Sequence, residues 1–407
     1  MDGLVVGIDL CDEYTQINCA EEEKTWTIPS AICKDKNIDE WYIGEEAFAH
    51  TLKGDGIIVD KLLKLAAKDG TATLCDVRYE GKTLLRLFLE RVLWLAKDEY
   101  QETEIRQLVF TVRQVDAGVL ELLYDCAAEL EIPKERVHVI SHSESFIYDI
   151  LSQKKEIWNG TVGMFDLSEE RLCYYEMRVQ RGPKKTVVLA EHENLEEGFN
   201  LDILSTPSGA RMADWILTSC GERMMQKKVY SSVFLTGKGF DTRDWAEGFM
   251  KLVCGKRRVY MEPAVFSKGA AYRAMDLLHE RTSYPYTIVC DGRLKSTVSM
   301  NVIHRGQETS VVLAAAGDVW YDRISTMDVI PDGQSSVEFV VTPMDVKKKK
   351  TVSIPLEGFP KRPERTTRVR IQVSFLDEQT MDVKLKDQGF GELFPSTGTQ
   401  IRQEVML

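Results

Sequence analysis

Two short segments, far apart in the chain, share one pattern. Ile8-Asp9-Leu10-Cys11-Asp12-Glu13 and Phe165-Asp166-Leu167-Ser168-Glu169-Glu170 both read apolar, Asp, Leu, small, acid, Glu. Each follows an apolar run (LVVGIDL, GTVGMFDL) and precedes another (YTQINCA, RLCYYEMRV). A strand that reaches a carboxylate, turns tightly and returns is a β-hairpin, and its occurrence twice predicts two related halves. The outline suits a phosphate-binding turn. Such a turn wants glycine, because backbone N–H groups must approach phosphate oxygens with no side chain between. Here the turns carry Cys11, Asp12 and Glu13, and Ser168, Glu169 and Glu170.

Strands and helices alternate up to about residue 282, which predicts an α/β region. LVVGIDL, YTQINCA and TWTIPSAIC read as three strands. The 83–100 stretch is helical by spacing, with Leu84, Leu87, Leu89, Val92, Leu93 and Leu95 on its apolar face. Strand QLVFTV, helix DAGVLELLYDCAAELEI, strand VHVIS and a short helix from about Glu144 follow. The order then restarts with GTVGMFDL, RLCYYEMRV and KTVVLAEHE as strands, SSVFLTG as another, and PAVFSKGAAYRAMDLLHE as a closing helix. Beyond Tyr284 the period drops to two: Val369, Ile371, Val373 and Phe375 alternate with polar residues, and Met381, Val383 and Leu385 repeat the pattern. That is a half-exposed antiparallel sheet. The expected domains are 1–283 and 284–407, and 407 residues suffice for two or three cores.

A net charge of −12 argues against nucleic-acid partners and a polybasic membrane anchor. The basic run Lys347 to Lys350 lies between strand-like segments and reads as a solvated hairpin turn. Nine cysteines, with no CxxC pair and no histidine at ligand spacing, predict reduced thiols rather than disulfides or a zinc framework. No apolar run approaches the ~20 residues that span a bilayer, and the N-terminus has no basic leader region. A soluble, cytoplasmic protein is expected.

The ordered segments resemble a family. GIDL is similar to the first phosphate motif of the actin–hexokinase–heat-shock ATPase superfamily, and the best resemblance within it is to DnaK-type chaperones. IPSA and YIGEEA resemble segments just downstream, and VDKLLKL the stretch with the catalytic lysine. QLVFTVRQVDAGVLELLYDCAAELEI and VHVISHSESFIYDIL resemble the path into the first connecting helix. MFDL resembles the second phosphate motif, VFLTGKGF the adenosine motif, and PAVFSKGAA the second connecting helix. PDGQSSVEFVV and SIPLEGFP through DVKLKD resemble the chaperones' peptide-binding sandwich. The resemblance implies an α/β two-lobed actin-like ATPase-type domain with duplicated ribonuclease-H-like lobes, followed by an antiparallel β-sandwich.

It also implies roles for single residues. Asp9 and Asp166 would hold a hydrated Mg2+, Lys61 would polarise the γ-phosphate, and Gly237 and Gly239 would admit the adenosine ribose and α-phosphate. Ser141, His142 or Glu144 stands where a Glu orients the attacking water, with a capping or buried role the plainer expectation for His142. Set against this, four carboxylates in the turns oppose a polyphosphate, and like charges at a docking site cost several kcal/mol. Arg171 stands where the family has a hydroxyl and Cys173 where it has an Asp. The stretch between Asp166 and VFLTG is too short for the subdomain that grips adenine, and no helical lid follows the sandwich. The expected function is a pseudo-ATPase scaffold that binds a protein or extended peptide through its sandwich, with no nucleic-acid or membrane partner. One alternative is a divergent ATP-dependent chaperone using ATP or ADP with Mg2+ at Asp9, Asp166, Lys61 and LTGKG. Another is an actin-like filament or cell-division protein.

Overall fold

The computed structural model describes residues 3–20, 24–169, 171–182, 185–255, 257–344 and 346–407. Glu170, part of the second acidic turn, lies outside them. The chain divides into two compact units, residues 1–286 and 287–407.

The first unit is built on two sheets of the same design. β1 (Leu4–Leu10) pairs antiparallel with β2 (Tyr14–Cys19), which pairs with β3 (Thr25–Pro29). β4 (Ala31–Asp35), β5 (Trp41–Ile43), helix α1 (Gly44–Lys53) and β6 (Gly56–Asp60) then form a small separate sheet in the order β5-β4-β6 with α1 against it. TWTIPSAIC is thus two strands rather than one. Pro29 has no N–H to continue the ladder, and Ser30 bonds Glu13 O (3.2 Å) and Thr15 Oγ1 (2.8 Å) at the bend. Helix α2 (Leu62–Ala67) and the hairpin β7 (Thr71–Leu74) and β8 (Val77–Glu80) lead into helix α3 (Gly81–Tyr100). The buried face of α3 includes Leu84, Phe88, Leu89, Val92, Leu93 and Ala96, while Leu87 and Leu95 sit only half-buried at its edges.

β9 (Ile105–Val112) runs parallel to β1, and helix α4 (Ala117–Glu129) follows, capped by Asp116, which accepts from Val119 N. β10 (Val137–Ser141) runs parallel to β9 and feeds helix α5 (His142–Ser152). The first sheet therefore reads β10-β9-β1-β2-β3.

The second sheet repeats this. After short helix α6 (Lys155–Trp158), β11 (Thr161–Leu167) pairs antiparallel with β12 (Leu172–Arg181), and β12 with β13 (Thr186–Leu195). Helix α7 (Pro207–Met225) precedes β14 (Tyr230–Thr236), which is parallel to β11. Helix α8 (Glu247–Cys254) precedes β15 (Arg258–Met261), parallel to β14, and helix α9 (Val265–Leu277) closes the unit. The strands run β15-β14-β11-β12-β13, with the directions and order of the first sheet. Apolar side chains of β11, β12, β14, α7 and α8, including Phe165, Leu217, Leu235 and Phe249, form the core on one face of this sheet.

Helices α5 and α9 pack on each other, and α9 also lies against β1 and β9. Gly269 makes the crossing close: a Cβ there would stand 1.9 Å from Ser145 O.

Among its described residues the second unit consists of strands, the loops that join them and one 3-10 turn (Val346–Lys348). β16 (Thr287–Val289) opens it. β17 (Ser296–His304), β18 (Gln307–Ala314), β20 (Ser336–Pro343) and β21 (Lys350–Pro355) form one antiparallel sheet, ordered β18-β17-β20-β21. β19 (Ser325–Val329), β22 (Val369–Phe375), β23 (Thr380–Asp387) and β24 (Gln400–Met406) form the other, ordered as numbered. Val369, Ile371, Val373 and Phe375 are buried in alternation along β22. Lys347 to Lys350 lie exposed at the connection between β20 and β21. Among the described residues no helix is long and apolar enough to cross a membrane.

Candidate functional site

The two repeated segments form equivalent turns. In the first, Asp9 faces Gln16 across the hairpin and Cys11 N donates to Tyr14 O (3.0 Å); in the second, Asp166 faces Cys173 and Ser168 N donates to Arg171 O (2.9 Å). The parallel neighbours match as well: Asp9 is level with Thr111 on β9, and Asp166 with Thr236 on β14. Two residues past each threonine stands a cation, Arg113 and Lys238.

Each cation meets an acid of its own turn. Arg113 donates to Glu13 Oε2 (3.3 Å) and reaches across to Ser168 Oγ (3.5 Å), so it touches both turns. Burial works against its charge, but the acidic groups around it, Glu13 and Asp166 among them, hold it firmly protonated. Lys238 pairs with Glu169. Neither cation stood out in the sequence, because an Arg or Lys after a strand has no special spacing. Only alignment of TVR with TGK on the repeat would have marked them.

Asp9 is fully buried, with Oδ1 2.7 Å from His142 Nε2 and Oδ2 without a partner. His142 begins α5 and its ring stacks on Phe266 of α9 at 3.9 Å. Ser141 caps that helix, its Oγ accepting from Glu144 N (3.1 Å). Cys11 Sγ lies 3.5 Å from Asp9 Oδ1 and 3.9 Å from His142 Nε2. The thiol and the carboxylate thus meet the same ring nitrogen. A Cys-His-Asp catalytic relay needs them on opposite nitrogens, and burial pushes the Cys11 thiol well above its ordinary pKa, away from the nucleophilic thiolate. Cys11 and His142 stand at no sequence spacing that marks ligands; 131 positions apart, they come together through the fold.

Asp166 is 2% exposed, with its Oδ1 unpartnered. Burial drives its pKa up to about 6, opposed by Arg113 and His142 and assisted by Asp9 and Glu13. A hydrated Mg2+ keeps several waters and near-octahedral oxygen geometry. A buried Asp9 already bonded to histidine, beside a thiol, does not fit that ion.

The remaining expected residues are structural or peripheral. Lys61 is exposed in the left-handed region (φ 51°) at the start of α2, not within a helix face, and the first turn of that helix is tied down by Asp12 Oδ1, which accepts from Lys64 N (3.0 Å). Gly237 has φ 92°, and a Cβ there would lie 2.5 Å from Leu167 O and 2.7 Å from Asp166 Oδ1. A Cβ on Gly239 would meet the Leu167 side chain at 2.4 Å. Both glycines therefore serve the chain's own packing against the end of β11. Beside them a cleft of about 230 Å³ is lined by Thr236, Gly237, Phe240, Asp241, Arg243 and Glu262 among others, smaller than the ~300–1,000 Å³ of ligand pockets.

A family model described as "Family of unknown function (DUF5716) C-terminal" matches residues 13–291, more than half of the chain. The chain belongs to the DUF5716 C-terminal family. Its match takes in Arg113, His142, Asp166 and Lys238, whereas Asp9 and Cys11 precede it. Behind the DUF5716 region, residues 293–407 match a model described as "Domain of unknown function (DUF8552)". No curated protein matches the chain.

Proposed function

We propose that this DUF5716-family chain is a scaffold related to the actin-type ATPases and DnaK-type chaperones, without their phosphate chemistry, and that its C-terminal sheets bind a protein or extended peptide. Two sheets that share one five-strand order, each opening with the same hairpin, support the architectural part of this reading. The observation that carries the functional part is the pair of internal cations. Arg113 and Lys238 neutralise acids of the two turns from within the chain, so carboxylates and their own counter-ions fill the place where a polyphosphate and its metal would dock.

The peptide-binding part draws on β18, an edge strand whose residues 307–310 are exposed, along with Val312. An exposed edge offers unpaired backbone groups to which an extended segment can add as a further strand. The expected site of action is the cytoplasm. Limited proteolysis of the full chain with and without ATP or ADP and Mg2+ tests the reading. Identical digestion patterns are expected, and nucleotide-dependent protection of the first unit would refute it.

A further inference from the structure

We infer that Asp9, Cys11 and His142 form a site for a borderline-soft divalent cation of the Zn2+ class. Their donor atoms lie within 4.8 Å of one another, and all three residues are buried. Zn2+ binds thiolate at about 2.3 Å and imidazole or carboxylate at about 2.0–2.2 Å, so tetrahedral donors stand roughly 3.3–3.6 Å apart. The separations here are 3.5 Å for sulfur to oxygen, 3.9 Å for sulfur to nitrogen and 2.7 Å for nitrogen to oxygen. A cation at their centre asks for shifts of only about half an ångström.

Three further features point to a ligand. Asp9 Oδ2 is buried without a partner, although its residue is wholly inside the protein. A buried carboxylate oxygen orphaned in this way costs free energy that a cation held by both oxygens would recover. Asp166 Oδ1 is also buried and unpartnered, and Asp166 faces both Cys11 and His142 electrostatically. The stacking of His142 on Phe266 fixes the ring plane that aims Nε2 inward. On binding, Cys11 releases its thiol proton to solvent, and the proton shared by His142 Nε2 and Asp9 Oδ1 moves to Nδ1, so that Nε2 is bare to ligate. The two negative charges of thiolate and carboxylate then balance the divalent ion. Cysteine and histidine donors distinguish this ion from the hydrated Mg2+ of the ATPases, which prefers oxygen.

The test is titration of the full chain with Co2+ alone, then Zn2+ as competitor. The exposed Cys75 and Cys254 are first changed to serine to remove adventitious thiols. One equivalent of Co2+ should give a thiolate-to-cobalt charge-transfer band and intense tetrahedral d–d bands, both lost on adding Zn2+. Cys11→Ser in that background should abolish the charge-transfer band and weaken Zn2+ binding about 100-fold or more, since even outer partners of metal ligands are worth 10–100-fold. X-ray absorption of the zinc-loaded protein with native Cys11 covers the case in which Cys11→Ser fails to fold. It should show one sulfur at about 2.3 Å with nitrogen and oxygen near 2.0–2.2 Å. A charge-transfer band that survives Cys11→Ser, a coordination shell without sulfur, or no one-to-one binding would overturn the inference.

Discussion

Asp149 on α5 sets up a pH dependence whose sign and slope can be worked out. Neither carboxylate oxygen has a hydrogen-bond partner, and the residue is fully buried. Burial pushes its pKa up to about 8; Glu262 adds to the rise, Lys268 opposes it, and Gln153 opposes it least, without a hydrogen bond of standard geometry. In the unfolded chain an aspartate titrates near 3.9. Below about pH 4 both states are protonated and the group is neutral in its effect. As pH rises from about 4 to 8 the unfolded state ionises and the folded state does not, so stability falls by about 1.4 kcal/mol per pH unit. Above pH 8 the penalty is constant. Asp149→Asn keeps the shape and removes the ionisation. Relative to the natural chain its stability should therefore rise by about 2.7 kcal/mol between pH 5 and pH 7, on the order of two pH units of that slope. Urea unfolding followed by tryptophan fluorescence reads the first unit, which holds every tryptophan except Trp320. Parallel stability curves for the two proteins between pH 5 and 7 would refute the assignment of a neutral, buried Asp149.

Other perturbations have equally definite expectations. Gly269→Ala places a methyl against the Ser145 carbonyl, so α5 and α9 must part; scanning calorimetry should show the first unit losing about 3 kcal/mol, the upper end of overpacking costs. In the second unit Arg362 makes a two-pronged bond to buried Asp387 (2.9 and 3.0 Å), while Gly389 N and Thr397 N also donate to that carboxylate. Burial alone would raise its pKa, but these donors hold it well below the usual range. Arg362→Met should cost about 3–5 kcal/mol in chemical denaturation of that unit, the scale for stranding one partner of a buried pair. Arg113→Met leaves Glu13 and Asp166 without their cation, and the unfolding midpoint of the first unit should drop, whereas Lys238→Met at an exposed pair should change it by under about 1 kcal/mol.

Strands, hairpins and the period-two alternation of the C-terminal segments were legible because apolar alternation and turn residues act locally. The repeat of Asp9 and Asp166 was legible too, and its geometric equivalence lies in matching hydrogen bonds that short sequence similarity only hints at. The TWTIPSAIC break is not legible because Pro29 closes one ladder and Ala31 opens another with a single residue, Ser30, between them. Lys61 enters through resemblance alone, and its left-handed backbone puts it at the start of α2. The contacts that define the site were not legible. Asp9 meets His142 across 133 positions and Arg113 meets Ser168 across 55, and only the closure of the sheets brings them together. Gly237 and Gly239 were visible, but the sequence could not say whether a ligand or Leu167 required them.

Calorimetric titration of the full chain with ATP in Mg2+, with EDTA as the control, tests the loss of phosphate chemistry most directly. With Arg113 and Lys238 already facing the acidic turns, no saturable heat is expected up to millimolar nucleotide. A saturable, Mg2+-dependent heat with Kd near ~1 μM, about −8 kcal/mol, would contradict it.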